Sequence, residues 1–382
     1  MSLTSVEALT RVRERTLALV AHLDEADLER QVDPIMSPLV WDLGHIAAYE
    51  DLWLVHRYGD RPLLHPDLAA RYDAFETPRG VRGEIELLDV PGAQEYLRDV
   101  RDRTVEVLGN RGPDPLLHDM VARHELQHTE TMRQAMRLGG LLPPGEPSLA
   151  RITAPDGWID VPAGRFAMGA PDSVFAYDNE RPRHDVELPA FRIARRPVTN
   201  ATWLHFTEGG GYQRREWWSD EGWAWKEDYD ITHCPDAEAG HPDAPVCHVS
   251  WFEADAFARS SGARLPTEAE WERAATWTQG IDPLEAVGQV WEWTSSWFDG
   301  YPGFAPYPYR EYSEVFFGKS YRVLRGGSWA TDPLVATTTF RNWDLAERRQ
   351  IFAGVRLAAQ GVAEAATWPP EPGPPVDSPE ES

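Results

Sequence analysis

The sequence predicts an α+β protein of two domains, a four-helix bundle followed by a mixed α+β domain rich in irregular loop. Three observations carry this expectation. Apolar residues recur at helical spacing through residues 1–145. From Ile152 the texture changes to short β-like runs divided by Gly, Pro and Asn turns. The chain of 382 residues also exceeds the roughly 100–200 that one core usually serves. The expected boundaries are 1–145 for the bundle, 152–360 for the second domain and 361–382 for a disordered Pro-rich, acidic tail.

In the first domain, Val6, Leu9, Val12, Leu17, Val20 and Leu23 form one apolar stripe. A second helix is predicted from Pro38 to Tyr58, where Leu39, Leu43, Ile46, Ala47 and Leu52 keep a helical rhythm. A third spans Ala93 to Leu108. The fourth runs from Asp114 to Leu138 and is stopped by Gly139-Gly140 and the following Pro143-Pro144. Antiparallel bundles of this kind place metal sites between facing helices. In the second domain, strands are predicted at Gly157–Val161, Phe166–Gly169, Asp185–Leu188 and Phe191–Ile193. Helices are predicted at Trp251–Ser261 and after Thr267, which can act as N-cap with Glu270 returning in a capping box. Trp291 to Leu357 is rich in aromatics, Gly and Arg with few long periodic segments, and no internal repeat is detectable.

Composition narrows the function. With 62 acidic against 37 basic residues the formal charge is −25, which disfavours nucleic acid and anionic membranes because both are polyanions. Small-molecule partners are expected. Cys234 and Cys247 are too few for a disulfide framework and read as thiols or one local bridge in a reducing cytoplasm. The segment Met1 to Val20 carries Glu7, Arg11, Arg13, Glu14 and Arg15, so it lacks the apolar core of a signal peptide. No apolar run reaches the ~18 residues a membrane span needs. A cytoplasmic monomer is expected. Most of the 17 tryptophans follow residue 200 and suggest aromatic walls for an organic ligand.

The sharpest local signal is His124-Glu125-Leu126-Gln127-His128 inside the fourth predicted helix. Two His at i and i+4 share a helix face and can chelate one metal. The letters also spell the H-E-x-x-H signature of zinc proteases, but the downstream Gly and His, or helical Glu, that those enzymes need are missing before the Gly139-Gly140 stop. His45, at the apolar boundary of the second helix, offers a third imidazole from a facing helix. Three imidazoles suit iron, copper, zinc or nickel and leave positions open. His118 is the rival ligand; its spacing to His124 is not i+3 or i+4, and it reads as a surface residue.

These residues carry a resemblance that extends over nearly the whole chain. A bundle with His45 and His124-x-x-x-His128, then a second domain containing Arg264-Leu265-Pro266-Thr267-Glu268-Ala269-Glu270-Trp271-Glu272, resembles the ergothioneine-pathway sulfoxide synthases, or hercynine oxygenases. Further matching strings are Met36 to Leu43, Tyr72 to Glu76, Arg325 to Ala330, and Phe340 to Asp344 continuing through Arg348 to Leu357. The resemblance implies a DinB-like bundle and a formylglycine-generating-enzyme-like (C-type-lectin-like) second domain. It also implies an Fe(II) enzyme that uses O2 to join hercynine and γ-glutamylcysteine. His45, His124 and His128 resemble the iron ligands; Arg79, Arg82 and Asp344 resemble the anchors of the thiol substrate. Gln127, Tyr312, Trp343 and Asn342 resemble hercynine contacts, and Tyr309 the catalytic tyrosine, with Tyr307 its neighbouring alternative.

Two departures stand out. Between Trp277 and Val290 the chain lacks a segment of roughly 30 residues that the proteins it resembles usually carry there, far beyond an ordinary loop. The two cysteines do not match the copper-binding pair of formylglycine-generating enzymes. The rival readings are a selenoneine synthase using a selenosugar, a cysteine-using sulfoxide synthase, a zinc protease, and a metal-binding module without catalysis.

Overall fold

The computed structural model describes residues 5–147, 149–277 and 283–361, and the chain divides into two compact units. One comprises residues 1–146 with 330–335; the other comprises 147–329 with 336–382. The tail assigned to 361–382 lies, apart from Gly361, outside the described residues, as does part of the shortened segment after Trp277.

The first unit is helical: α1 Ser5–Val20, α2 Glu25–Glu29, α3 Leu39–Glu50, α4 Val90–Arg111 and α5 Pro115–Gly139. The expected Pro38–Tyr58 helix is present but changes winding, because α3 runs on into a π-helical stretch over Asp51–Tyr58. Local chemistry sets the ends of α5. Asp114 accepts the amides of Leu116 and Leu117, Pro115 takes the first helical position, and Gly140 turns left-handed at φ 69°. The amide of Leu141 then returns to the Met136 carbonyl at 2.7 Å. Helix α3 packs on α4 and α5, and α1 packs on α5, around Leu19, Leu43, Ile46, Val100, Met132 and Met136. Each such side chain contributes about 1.5–3 kcal/mol by leaving water.

A charged cluster is buried within this core. Arg13 on α1 donates to Glu125 on α5 at 2.8 Å and to Glu50 on α3 at 2.9 Å, and Arg101 on α4 donates to Glu50 at 2.8 Å. Burial alone would raise the Glu50 carboxyl; Arg101 and Arg13 outweigh it and hold the group at about 2. Four helices are thereby keyed to one another by charge as well as shape. Residues 330–335 join the same unit: Thr331 donates to Glu130 at 2.7 Å, Asp332 pairs with Arg15, and the Leu334 carbonyl accepts from Arg123.

The second unit is mixed. It contains β1 Trp158–Val161, β2 Gly164–Met168, β3 His184–Leu188, β4 Phe191–Ala194, α6 Asn200–Glu208, α7 Asp220–Asp228, α8 Pro235–Ala239, α9 Trp251–Ser260 and α10 Glu268–Trp277. Then follow β5 Trp291–Trp297, β6 Tyr321–Arg325, β7 Asn342–Leu345, β8 Ala353–Gly354 and β9 Ala358–Gln360. The sheets are β1-β4-β9, the hairpin β2-β3, and β7-β6-β5-β8. The capping box ahead of α10 forms as expected, with Glu270 accepting the Thr267 amide at 2.8 Å and Thr267 accepting the Glu270 amide at 3.1 Å. Cys234 and Cys247 are both buried thiols, so the local bridge does not form.

The long family-like strings turn out to encode buried ion pairs. Arg356 is bidentate with Glu292 at 2.6 and 2.7 Å, Arg341 is bidentate with Glu268 at 2.7 and 2.9 Å, and Arg325 meets Glu272 at 2.5 Å. All three arginines are at most 1% exposed. Removing one partner would strand a buried charge, which costs about 3–5 kcal/mol, so these positions tolerate little change.

Candidate metal centre

The site in the first unit begins with helix geometry. Residues four apart lie on one face of α5, so His124 and His128 project together, and His45 reaches the same point from α3. One ring nitrogen from each of the three lies within 4.8 Å of the others, and the Nε2 atoms of His45 and His124 are 3.1 Å apart. Two nitrogens each ~2.1 Å from one ion at a right angle would sit ~3 Å apart. The pair is already at that spacing.

Neighbouring groups fix which nitrogen faces inward. His45 Nδ1 lies 2.6 Å from the Tyr72 carbonyl, which can only accept, so the proton sits on Nδ1 and the Nε2 lone pair is available. His128 Nδ1 lies 2.9 Å from Asp42 Oδ1, and its proton is placed by the same logic. Gly44 makes the first contact possible: a Cβ there would meet the Tyr72 ring at 2.2 Å, so only glycine lets Tyr72 lie against α3. Flat stacking sets the ring planes. Trp41 stacks on His45 at 4.8 Å, and Tyr49 stacks on His124 at 3.6 Å with the planes 7° apart. Burial, together with the neighbouring His128, pushes His45 and His124 well below the usual imidazole range. Both rings are therefore neutral at pH 7, the form a metal ion binds. The donor set fits a transition-metal ion with open positions.

Asp42 was not among the residues expected from sequence. It is 1% exposed, and its Oδ2 has no hydrogen-bond partner. Outer-shell carboxylates of this kind typically change metal affinity ~10–100-fold when removed. Asp42→Ala is expected to weaken Fe(II) or Zn(II) binding by that factor in calorimetric titration of the apoprotein. Asp42→Asn should fall between the two, because its amide oxygen can still accept from His128. Unchanged affinity in Asp42→Ala would remove Asp42 from the site.

The protease reading does not survive the geometry. One residue along a helix is a rotation of about 100°, and Glu125 accordingly points away from the His cluster into the charged core. Its carboxylate is taken by Arg13 at 2.8 and 3.2 Å and by Thr16 at 2.7 Å. It cannot act as the base of an H-E-x-x-H site. The surface position expected for His118 is also corrected. The residue is 3% exposed, with its ring edge-on to Tyr58 at 5.9 Å, because the first turn of α5 is covered by the π-helical stretch. It stands outside the His cluster.

Arg79 and Arg82 occupy unlike surroundings although they are three apart. Arg79 is exposed, with one long donation of 3.4 Å to the Ile35 carbonyl. Arg82 is buried and donates to Thr77 O, Ser37 Oγ and Ala74 O at 2.9, 2.7 and 3.2 Å. Its guanidinium lies 3.5 Å over Trp41, the ring that stacks on His45, and burial lowers its pKa to about 10. Gln127 is half-buried on α5, one residue before His128.

The remaining predicted residues belong to the second unit. Tyr309, Tyr312 and Trp343 share one aromatic cluster: Tyr309 is edge-on to Tyr312 at 6.2 Å, and Tyr312 is edge-on to Trp343 at 5.9 Å. Trp343 stacks on Phe298 at 4.2 Å. Asn342 and Asp344 flank Trp343 on β7, so strand alternation turns them to the opposite face. Asp344 accepts from Gln350 at 3.2 Å. Tyr307 is 52% exposed.

Comparison with known proteins agrees with this layout. A DinB superfamily model matches residues 8–139, and a sulfatase-modifying factor enzyme 1-like domain model matches 145–283 and 279–361. The chain is 42% identical to a hercynine oxygenase of Mycolicibacterium thermoresistibile over 92% of its own length and 93% of the relative's. It is 41% identical to a hercynine oxygenase of Mycobacterium tuberculosis over 92% of its length and 97% of that protein's. Ergothioneine biosynthesis protein 1 of Schizosaccharomyces pombe is 26% identical over 61% of this chain and 36% of that protein.

Proposed function

Because the chain belongs to the hercynine oxygenase family, we propose that it is a non-haem iron(II)- and O2-dependent sulfoxide synthase joining hercynine to γ-glutamylcysteine in ergothioneine biosynthesis. The observation that carries the reading is the cluster of buried His45 and His124 with half-buried His128, two of whose rings are oriented by outer hydrogen bonds. Iron(II) held by these three residues would supply the redox chemistry of O2 reduction and lower the pKa of the thiol.

In the balanced reaction, sulfur bonds to the imidazole carbon between the two ring nitrogens. One oxygen atom of O2 ends on sulfur. The other leaves as water with the hydrogens lost from the thiol and the ring carbon.

The chain's own residues bind, orient and move protons. Arg79, exposed and with donors to spare, suits a substrate carboxylate as a planar fork. Arg82 adds positive charge at the same segment while its own bonds hold that segment in place. Asp344 meets the ammonium of the thiol substrate. Gln127 hydrogen-bonds the hercynine imidazole, with Asn342 as a further polar contact. Tyr312 and Trp343 offer aromatic faces to the trimethylammonium. Tyr309 relays one of those protons: its phenol oxygen gives a proton as O2 is reduced and recovers one released from the thiol or the ring carbon, so the second oxygen atom leaves as water.

The setting is the cytoplasm, with small molecules as partners and a monomer as the working state. No helix among the described residues is long and apolar enough to cross a membrane, and both cysteines are thiols.

The thiol donor separates this reading from a selenoneine synthase or a cysteine-using enzyme. A site built to hydrogen-bond a carboxylate of the thiol substrate rejects analogues lacking that carboxylate by tenfold or more, roughly. Turnover of γ-glutamylcysteine is therefore expected to exceed that of cysteine and of a selenosugar by at least about tenfold in kcat/KM. A preference for either alternative would keep the metal site and discard the assigned pocket.

A further inference from the structure

One buried turn anchors the loop that carries Tyr309 and Tyr312. Asp178–Glu180 forms a 3-10 turn whose three residues are 2%, 1% and 2% exposed. Asp178 Oδ1 accepts the hydroxyl of Ser313, and Oδ2 accepts the backbone amide of Tyr307 at 3.3 Å. Asn179 donates through Nδ2 to the same Ser313 oxygen at 2.9 Å, and its carbonyl accepts from Arg341 at 2.7 Å, just ahead of β7. Tyr177 completes the contact by stacking on Tyr312 at 4.3 Å with the rings 11° apart. One carboxylate thus holds both ends of the stretch 307–313, and Tyr309 and Tyr312 lie between the two anchors. The loop between them has little regular structure of its own, only the short 3-10 turn Arg310–Tyr312. The anchors fix the backbone on either side of Tyr309, and ring contacts such as Tyr177 on Tyr312 then orient the side chains.

We infer that Asp178 is a positioning residue for Tyr309, acting through Ser313 and the Tyr307 amide rather than by touching substrate. This inference rests on the reading of Tyr309 as the proton donor. The groups that face Asp178 are the Ser313 hydroxyl, the Tyr307 and Asn179 amides, and the Arg341 guanidinium. Burial pushes its carboxyl up to about 6 against the opposing pull of those hydrogen bonds and of Arg341. Above about pH 6 the carboxylate accepts both donors. Below it the group carries a proton, and the charge-assisted character of both bonds is lost.

The test is the ratio of sulfoxide adduct to sulfinate, the sulfinate being the product when both oxygen atoms of O2 go to the thiol alone. This ratio compares two fates of enzyme that is already loaded, so incomplete metal occupancy does not move it. In the unmodified protein the ratio should fall as pH drops through about 6. In D178N it should be lower by about tenfold, the scale of one charge-assisted hydrogen bond, and flat across the same window. S313A removes one anchor from the loop side and should shift the ratio in the same direction by less. A wild-type ratio and pH profile in D178N, alongside a shifted ratio in Y309F, would overturn the inference and leave Tyr309 in place. Should Y309F itself keep the wild-type ratio, the Tyr309 reading fails, and amide hydrogen exchange at Tyr307 judges the anchor. Faster exchange in D178N supports the anchor; unchanged exchange overturns it.

Discussion

Replacing His124 with alanine is expected to abolish O2-dependent turnover and to cost far more metal affinity than the ~10–100-fold of an outer-shell substitution. The reason lies in how the ring is held. His124 is 9% exposed, stacks flat on Tyr49 and stands 3.1 Å from His45, and among the described residues only His45 and His128 share its cluster. Glu125, the nearest carboxylate in sequence, is committed to Arg13 and Thr16. Helical circular dichroism should persist, because the charged core of Arg13, Glu50, Glu125 and Arg101 is untouched. Metal titration and turnover are the paired readouts. Retained stoichiometric binding with normal turnover would move the centre elsewhere.

Tyr309→Phe is expected to act on outcome rather than on binding. Phenylalanine keeps the edge-on contact with Tyr312 but lacks the phenol proton, so metal and both substrates should still bind. On the proposed role of Tyr309, losing this proton relay slows the path in which one oxygen atom leaves as water, and the thiol is expected to take both oxygen atoms. The product should change from sulfoxide adduct to sulfinate. Mass spectrometry of the mixture after aerobic turnover measures the change directly. Sulfoxide formation at the normal rate would remove Tyr309 from the mechanism and leave its role to packing.

The parts of the site that are legible in sequence are those written in local spacing. His124 and His128 are visible because i and i+4 share a helix face, and His45 because it sits at the apolar boundary of a predicted facing helix. Their supports are not visible. Asp42 precedes His45 by three residues but hydrogen-bonds His128 on another helix, and the Tyr72 carbonyl reaches His45 only because Gly44 lacks a side chain. Those relations exist only after α3, α5 and the segment around Tyr72 have packed. The Arg79 and Arg82 pair illustrates the same limit. Spacing makes them look alike, whereas packing exposes one and buries the other over Trp41.

The fold divides along similar lines. Helices α1, α3, α4 and α5 repeat their apolar pattern over several turns, so their existence is plain in the sequence. Helices α2 and α8, of five residues each, are too short to show a period. The π-helical winding of Asp51–Tyr58 leaves no mark that a 3.6-residue pattern detects. In the second domain the predicted early strands form, while β5 to β7 hide among aromatics and arginines. Their identity comes from partners distant in sequence, such as Glu292 beside Arg356 and Arg341 beside Glu268. The turn at Asp178 escapes sequence reading for the same reason, since Ser313 and Tyr307 lie far along the chain.

The most direct test uses anaerobic apoprotein loaded with iron(II), given hercynine, γ-glutamylcysteine and isotopically labelled oxygen gas, with products resolved by mass spectrometry. The expected result is a hercynine–γ-glutamylcysteine adduct whose sulfoxide oxygen carries the label, formed only when iron is present and absent in His124→Ala. An adduct formed equally without iron, or no oxygen-dependent product at all, would contradict the assignment and return the three histidines to a structural role.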